Sequence, residues 1–147
     1  MPYRPDIRVY DRDGALVAIV QAKALRNADV EAATRYMANL LGYGFSAQVP
    51  YVLLITAETG YLWTSTDAVR RHEAPQLTFS FSGVLRHYQP DSGAQPVGDI
   101  VLGSVVSHWL WDLAYGTVEE NDVTRQLRDT GLVRAIRDGE ISVQLPV

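Results

Sequence analysis

Two apolar runs joined by an amphipathic segment constrain the fold of this chain most. Residues 15–23 (ALVAIVQAK) and 51–56 (YVLLIT) are apolar on both faces and rich in β-branched and aliphatic residues, which is typical of buried central strands. Between them, apolar residues recur at helical spacing over 27–43, with Asn27 as the predicted N-cap. A helical crossover normally joins two parallel strands with a right-handed connection. The sequence therefore predicts a mixed α/β fold.

A predicted hairpin adds an antiparallel strand to this unit. Residues 6–11 alternate in polarity, and the Asp13-Gly14 dipeptide that follows them is a strong hairpin signal. A two-residue turn at this dipeptide predicts four cross-strand pairs, namely Arg12–Ala15, Tyr10–Val17, Arg8–Ile19 and Asp6–Gln21.

The rest of the chain is predicted to complete the same domain, 1–147, whose motif-bearing core is 1–65. Further strands are predicted over 61–65, 77–81 and 140–145, the second of them at a sheet edge. A C-terminal helical extension is predicted over 98–115, 121–131 and 132–138. Residues 66–76 form a polar connector with a short helical turn, and 88–96 form a surface loop. Four aromatic residues are predicted to be in the core: Trp63, Trp109, Trp111 and Tyr115.

Composition limits the class of protein. The chain has 147 residues, 47% of them hydrophobic and 20% charged, which is typical of one globular domain. It contains no cysteine, which excludes disulfides, thiolate zinc sites and cysteine nucleophiles. No apolar stretch is long enough to span a membrane, and no signal peptide is recognisable, so the predicted location is cytoplasmic.

The charges are distributed unevenly. The net charge of −4 argues against a protein that coats nucleic acid by bulk electrostatics. Residues 1–26 nevertheless carry five basic side chains against three acidic ones, whereas the remainder carries eight against fourteen. Either this is ordinary scatter, or 1–26 contributes a local positive site to an acidic body.

Lys23 is the single lysine in a chain with twelve arginines. Arginine is a wide planar cation that keeps its proton, whereas lysine is a compact point charge whose pKa responds to its surroundings. A site that needs a compact cation would therefore retain lysine while arginine replaces it elsewhere. The alternative is that one lysine persists by chance.

The predicted hairpin brings Lys23 together with two oxygen donors. Asp6 is expected opposite Gln21, and Gln21 and Lys23 project from the same face of their strand because they are two residues apart. Carboxylate and amide oxygens suit a hard divalent cation such as Mg²⁺. A metal and a lysine together can hold a water molecule and stabilise a phosphorane-like transition state.

These residues resemble the motif of the PD-(D/E)XK nuclease superfamily, whose members have a restriction endonuclease-like fold. The resemblance consists of Pro5 and Asp6, then Gln21-Ala22-Lys23 closing a buried strand, then an amphipathic helix and another buried strand. Residues 50–63 (PYVLLITAETGYLW) are similar to the strand pair that follows the motif helix in bacterial restriction-type domains. Gln21 stands where the family usually has Asp or Glu.

The resemblance implies a Mg²⁺- or Mn²⁺-dependent nuclease that hydrolyses phosphodiester bonds, with DNA as the favoured partner. Asp6, Gln21 and the Ala22 carbonyl would bind the metal, and Lys23 would orient the attacking water. The expected nucleic-acid contacts are Arg4, Arg8, Arg26 and Tyr36. The alternative is a nuclease fold without activity that serves in nucleic-acid binding or protein assembly.

The resemblance also bears on assembly. The family's first helix and strand have no counterpart before Asp6, which would leave a sheet edge uncovered, and exposed strand edges invite pairing. Either the predicted strand over 140–145 fills this gap or a second subunit covers it. We expect a homodimer or a place in a larger assembly.

Overall fold

The computed structural model describes residues 2–26, 28–91 and 97–144. Within these residues, six strands and six helices alternate in a mixed order along the chain. The strands are β1 (Ile7–Tyr10), β2 (Leu16–Ala22), β3 (Tyr51–Ile55), β4 (Thr59–Trp63), β5 (Leu77–Ser80) and β6 (Glu140–Val143). The helices are α1 (Val30–Leu41), α2 (Thr66–Arg70), α3 (Ser82–Tyr88), α4 (Asp99–Tyr115), α5 (Asp122–Asp129) and α6 (Leu132–Ile136).

The described strands form one mixed sheet in the order β5-β4-β3-β2-β1-β6. The β2 and β3 strands are parallel and are joined by the α1 crossover, whereas β1 pairs with β2 in the antiparallel sense. The β5 strand forms one edge of the sheet, as predicted. The mixed α/β class is therefore confirmed, while a restriction endonuclease-like fold stays a prediction.

The β1–β2 hairpin has the predicted partners near the site and different partners near its turn. Arg8 pairs with Ile19, as expected, but Tyr10 pairs with Leu16 instead of Val17 because the register shifts between Val9 and Tyr10. The predicted Arg12–Ala15 pair is also replaced, since the amide of Asp11 donates to the Ala15 carbonyl at 2.8 Å.

The chemistry of the turn explains this shift. The loop has three residues and ends at Gly14, whose φ of +89° is accessible to glycine without strain. The Asp11 carboxylate accepts hydrogen bonds from the amides of Asp13 and Ala15, both at 2.9 Å, and so holds the longer turn. The longer loop and the register shift offset each other, and Arg8 keeps its predicted partner.

The crossover helix begins two residues later than its sequence pattern suggested. Asp29 is its N-cap, and the carboxylate of Asp29 accepts from the Ala32 amide at 2.8 Å. The predicted cap, Asn27, lies outside the described residues. Gly42 is the C-cap, in agreement with the predicted end of the helix.

The structure differs from the sequence-based expectations at three further places. The helix α3 was not expected; it has no side-chain N-cap and is held by burial of Val84 and Leu85. The β4 strand begins at Thr59, because the Thr56 amide bonds to the Thr59 carbonyl and closes a tighter hairpin. Trp111 and Tyr115 are 49% and 44% exposed instead of being in the core.

Helices cover both faces of the sheet. On one face, α1 and α2 pack against alternate residues of β2, β3 and β4, around Ile19, Met37 and Trp63. On the other face, the helices α3 to α6 form a larger core, whose fully buried residues include Trp109. The segment predicted as a helical extension therefore forms the helical layer on the second face of the sheet.

The β6 strand covers the outer edge of β1 with four antiparallel pairs, from Ile7–Val143 to Tyr10–Glu140. Of the two predicted ways to fill this edge, the C-terminal strand is the one observed. The homodimer stays a prediction, but the uncovered β1 edge is no longer a reason to expect it. None of the helices in the described ranges has the length and hydropathy needed to cross a membrane.

Candidate functional site

A cavity of about 650 Å³ opens at the carboxyl end of β2. Its walls come from β1, β2, β6, the middle of α1 and the first half of α4. The polar and charged side chains at one end of the cavity are Asp6, Gln21, Lys23, Tyr36 and Asp99. Ala22 also lines it, so every residue expected to bind metal or orient water borders the same space.

Asp6 lies just before β1 and is held on two sides. Its Oδ2 accepts a hydrogen bond from the Ala22 amide at 3.0 Å, and its carbonyl accepts from the Gln144 amide at 2.8 Å. Burial raises the pKa of the Asp6 carboxyl above its usual value, the Ala22 amide lowers it, and the nearby Asp99 carboxylate raises it further. The ionised form of Asp6 is therefore unfavourable in the folded chain, and a bound cation would stabilise it.

Gln21 is anchored between two tyrosines. The Tyr3 hydroxyl donates to Gln21 Oε1 at 2.6 Å. Burial raises the pKa of Tyr36, and Lys23 and a hydrogen bond from Gln21 oppose this shift. Burial likewise raises the pKa of Tyr3. Both phenols therefore stay protonated near neutral pH, and the Tyr3 hydroxyl is the donor to Gln21.

Lys23 follows directly after β2 and remains attached to the sheet through its main chain. Its amide donates to the Ile55 carbonyl at 3.0 Å. Its Nζ lies 2.9 Å from Asp99 Oδ2, and Asp99 Oδ1 accepts from the Ala24 amide at 2.7 Å. The hydrogen bond to Asp99, and then its charge, raise the pKa of Lys23, so the ammonium stays charged at neutral pH.

Asp99 is the residue of this cavity that sequence reasoning missed. It is 76 residues away from Lys23 in the chain and is the first residue of α4. The Ala24 amide is the largest cause that lowers the pKa of Asp99, followed by Lys23. Its position after Gly98 was the available signal, because an acidic first-turn residue is common near a helix N-terminus. Nothing in that pattern indicated the contact with Lys23.

Of the four predicted nucleic-acid contacts, one borders the cavity and three do not. Tyr36 lines the cavity. Arg4 and Arg26 are exposed and Arg8 is half-buried, and these three are not among the described residues that line the cavity. Two carboxylates, Asp6 and Asp99, outnumber Lys23 at the cavity end. The local positive site suggested by the charge count is therefore not formed by the residues that line this cavity.

The donor atoms at this end of the cavity fit a hard divalent cation. Asp6 supplies a carboxylate whose Oδ1 receives no hydrogen bond from a described residue, and Gln21 and the Ala22 carbonyl add neutral oxygens. Such an all-oxygen set suits Mg²⁺ or Mn²⁺. No group of three or more His, Asp or Glu side chains suited to a metal occurs among the residues described. A cation here would therefore depend on amide and main-chain oxygens as well as Asp6.

Comparisons with protein-family models, with curated proteins and with solved structures give no significant match to this chain. The fold and the cavity define its class as a mixed α/β protein with a charged cavity at the carboxyl end of β2.

We expect Asp6→Asn to be more stable than the wild type at neutral pH. The folded state raises the pKa of Asp6 above its ordinary value of 3.8, so folding favours the protonated carboxyl. Its contribution to stability is complete below that value and is lost as the pH rises through the folded-state pKa. Asparagine keeps an acceptor for the Ala22 amide and removes the buried charge.

Urea unfolding at pH 7 and at pH 4 measures this effect. The stability gain should be present at pH 7 and should shrink at pH 4. Asp13→Asn, in the exposed hairpin turn, is the control that removes the same charge from solvent. A loss of stability in Asp6→Asn at pH 7 would mean that the Asp6 carboxylate stabilises the fold and is not held there for another purpose.

Proposed function

We propose that this chain is a metal-dependent nuclease that hydrolyses nucleic-acid phosphodiester bonds at the charged end of the cavity. The observation that carries the proposal is the meeting of Asp6, Gln21, the Ala22 backbone and Lys23 at the end of one hairpin. These are the residues that resemble the PD-(D/E)XK motif. The parallel β2–β3 pair and its helical crossover support it as well.

The role proposed for Lys23 is that of a charged hydrogen-bond donor. Asp99 raises the pKa of Lys23, and a lysine that keeps its proton at neutral pH is a poor general base. Its Nζ still has two N–H groups beyond the one directed at Asp99. These can hold an attacking water and a phosphate oxygen, while the ion pair fixes the position of the head.

Asp6, Gln21 and the Ala22 carbonyl would hold the cation. When bound, Mg²⁺ or Mn²⁺ would supply positive charge next to the phosphodiester and polarise its oxygens. Tyr3 holds the Gln21 amide by a 2.6 Å hydrogen bond, so Gln21 Oε1 is positioned before any ligand enters. Asp6 is held in the same way by the Ala22 amide at 3.0 Å.

The second proposed function is a nucleic-acid-binding or assembly module without catalysis. The Lys23–Asp99 ion pair favours it, because this contact ties α4 to the end of β2 and gives Lys23 a structural role. An arginine would also pair with Asp99, in a bidentate geometry. Retention of lysine is thus better explained by a catalytic role, which Lys23→Arg tests.

Gln21→Glu is the variant that tests the proposed metal site. It would add a carboxylate where the PD-(D/E)XK family usually has one, so the affinity for Mn²⁺ should rise, by about tenfold for one added charged ligand. Calorimetric titration with Mn²⁺ measures this affinity. Cleavage of plasmid and of single-stranded DNA should be retained or increased. Gln76→Glu, outside the cavity, is the control for the added charge.

The metal titration separates the two proposed functions. Tighter Mn²⁺ binding in Gln21→Glu together with cleavage supports the nuclease. Absence of cleavage by both the wild type and Gln21→Glu would favour the module without catalysis. No change in Mn²⁺ affinity would exclude Gln21 as a ligand.

A further inference from the structure

Gly103 lies inside α4 with no structural reason to be a glycine. Glycine in a helix interior is less favourable than alanine by about 1 kcal/mol. A Cβ added at Gly103 would meet no atom within 4 Å, whereas one added at Gly60 would meet the Phe79 ring at 2.1 Å. Gly103 has no positive φ either. Close packing and backbone conformation therefore do not require glycine at this position.

The absence of a side chain at Gly103 widens the cavity. Gly103 lines the space of about 650 Å³ beside the charged end, together with Ile100 and Ser107 of the same helix and Val143 of β6. Ile100 is 74% exposed and Val143 is 46% exposed, so this part of the cavity offers apolar surface to solvent. We call these four residues the α4 wall. The cavity thus has a charged end and an apolar wall side by side.

We propose that the α4 wall binds the base of an unpaired nucleotide next to the phosphodiester that is cleaved, and that the substrate class is single-stranded nucleic acid. This inference rests on the proposed nuclease function. Beyond that function, it specifies which part of the ligand contacts Gly103 and whether the cavity accepts a single strand or a duplex.

The shape and chemistry of the cavity favour this occupant. A nucleotide joins an anion, suited to Lys23 and a bound cation, to a flat base whose faces are apolar and whose edge is polar. The Ser107 hydroxyl donates to the Ser104 carbonyl at 2.9 Å, so its oxygen can accept from a base edge. A paired base is stacked within the duplex and reaches a concave site only after it is unstacked. The volume lies in the usual range for small-molecule sites.

Gly103→Phe and Gly103→Ala form a matched test. A Cβ fits at this position in both variants, and only the phenylalanine ring fills the cavity. The probe is a fluorescent oligothymidylate with phosphorothioate links, which slow cleavage, and its binding is followed by anisotropy in Mn²⁺. We expect Gly103→Ala to bind as the wild type does and Gly103→Phe to bind about tenfold more weakly, the size of one lost base contact. A duplex of matched length should also bind the wild type about tenfold more weakly.

Equal affinity of the two Gly103 variants, equal or stronger binding of the duplex, or no binding by the wild type would overturn the proposal. If Gly103→Phe fails to fold by circular dichroism, Ile100→Ser and Ile100→Val replace the pair, since Ile100 is exposed. The serine should then weaken binding by about tenfold, because it removes apolar surface that contacts the base, whereas the valine should bind as the wild type does. Loss of the contrast in that pair is equally decisive.

Cleavage assays keep this inference distinct from the proposed function. If the wild type cleaves no DNA but the Gly103 contrast is observed, the nuclease proposal fails and the nucleotide site stands. If the wild type cleaves DNA and the contrast is absent, the nuclease stands and the α4 wall is not its substrate contact.

Discussion

Lys23→Arg should abolish DNA cleavage while it preserves the fold. Arginine retains the positive charge and can pair with Asp99, so the link between β2 and α4 persists. Its wider head cannot take the position of a compact ammonium beside the attacking water. We expect kcat to fall by about 10²–10³-fold or more, as when one preorganised donor is lost from an active site. Mn²⁺-dependent cleavage of single-stranded and plasmid DNA measures it.

Lys23→Ala is the companion variant. It removes the ion pair as well as the proposed donor, so cleavage should be lost and stability should fall by about 1 kcal/mol or less, because both partners are partly exposed. Arg12→Ala, in the exposed hairpin turn, controls for the loss of one positive charge. Cleavage by Lys23→Arg at the wild-type rate would show that Lys23 contributes only charge and the Asp99 contact.

Trp109→Ala should be strongly destabilising. Trp109 is 1% exposed in the larger core, with its ring centroid 5.2 Å from that of Phe81 and 6.1 Å from that of Phe79. Removing a buried aromatic side chain leaves a cavity and costs about 3–5 kcal/mol, a large part of the stability of a domain of this size. Urea unfolding followed by circular dichroism measures the change.

Trp111→Ala is the matched control on the same helix. Trp111 is 49% exposed, and its ring contacts that of Tyr115 in a tilted arrangement with centroids 4.6 Å apart, so its loss should cost about 1 kcal/mol. Similar losses of stability in the two variants would contradict the assignment of α3 to α6 as a helical layer packed on one face of the sheet.

The central part of the fold could be predicted because its signals are local. Buried strands and an amphipathic helix leave patterns that identify β2, α1 and β3, and the crossover rule then sets β2 and β3 parallel. The register near the turn could not be predicted, because the Asp11 carboxylate stabilises a longer loop than the Asp13-Gly14 signal suggested. The helix α3 depends on burial against other elements, which no local pattern contains.

The candidate site could likewise be predicted only in part. Asp6, Gln21 and Lys23 meet because strand pairing and alternation relate them directly, and both can be deduced from sequence. Asp99 joins them only through the packing of α4 on the sheet, across 76 residues of chain. Its carboxylate changes the charge of the cavity end and the pKa of Lys23. The hairpin alone therefore predicted that these three side chains lie together, but it contained no information on the negative charge that Asp99 adds.

Diffraction from crystals soaked in Mn²⁺, recorded for its anomalous signal, tests the proposed metal site directly. We expect an anomalous peak at the charged end of the cavity, within ligand distance of the Asp6 carboxylate and the Ala22 carbonyl, and no such peak in crystals of Asp6→Asn. The same soak of Lys23→Arg should retain the peak, because Lys23 is not a ligand. A fully soaked wild-type crystal with no peak beside Asp6, or with one only at other residues, would contradict the proposed metal site and the nuclease built on it.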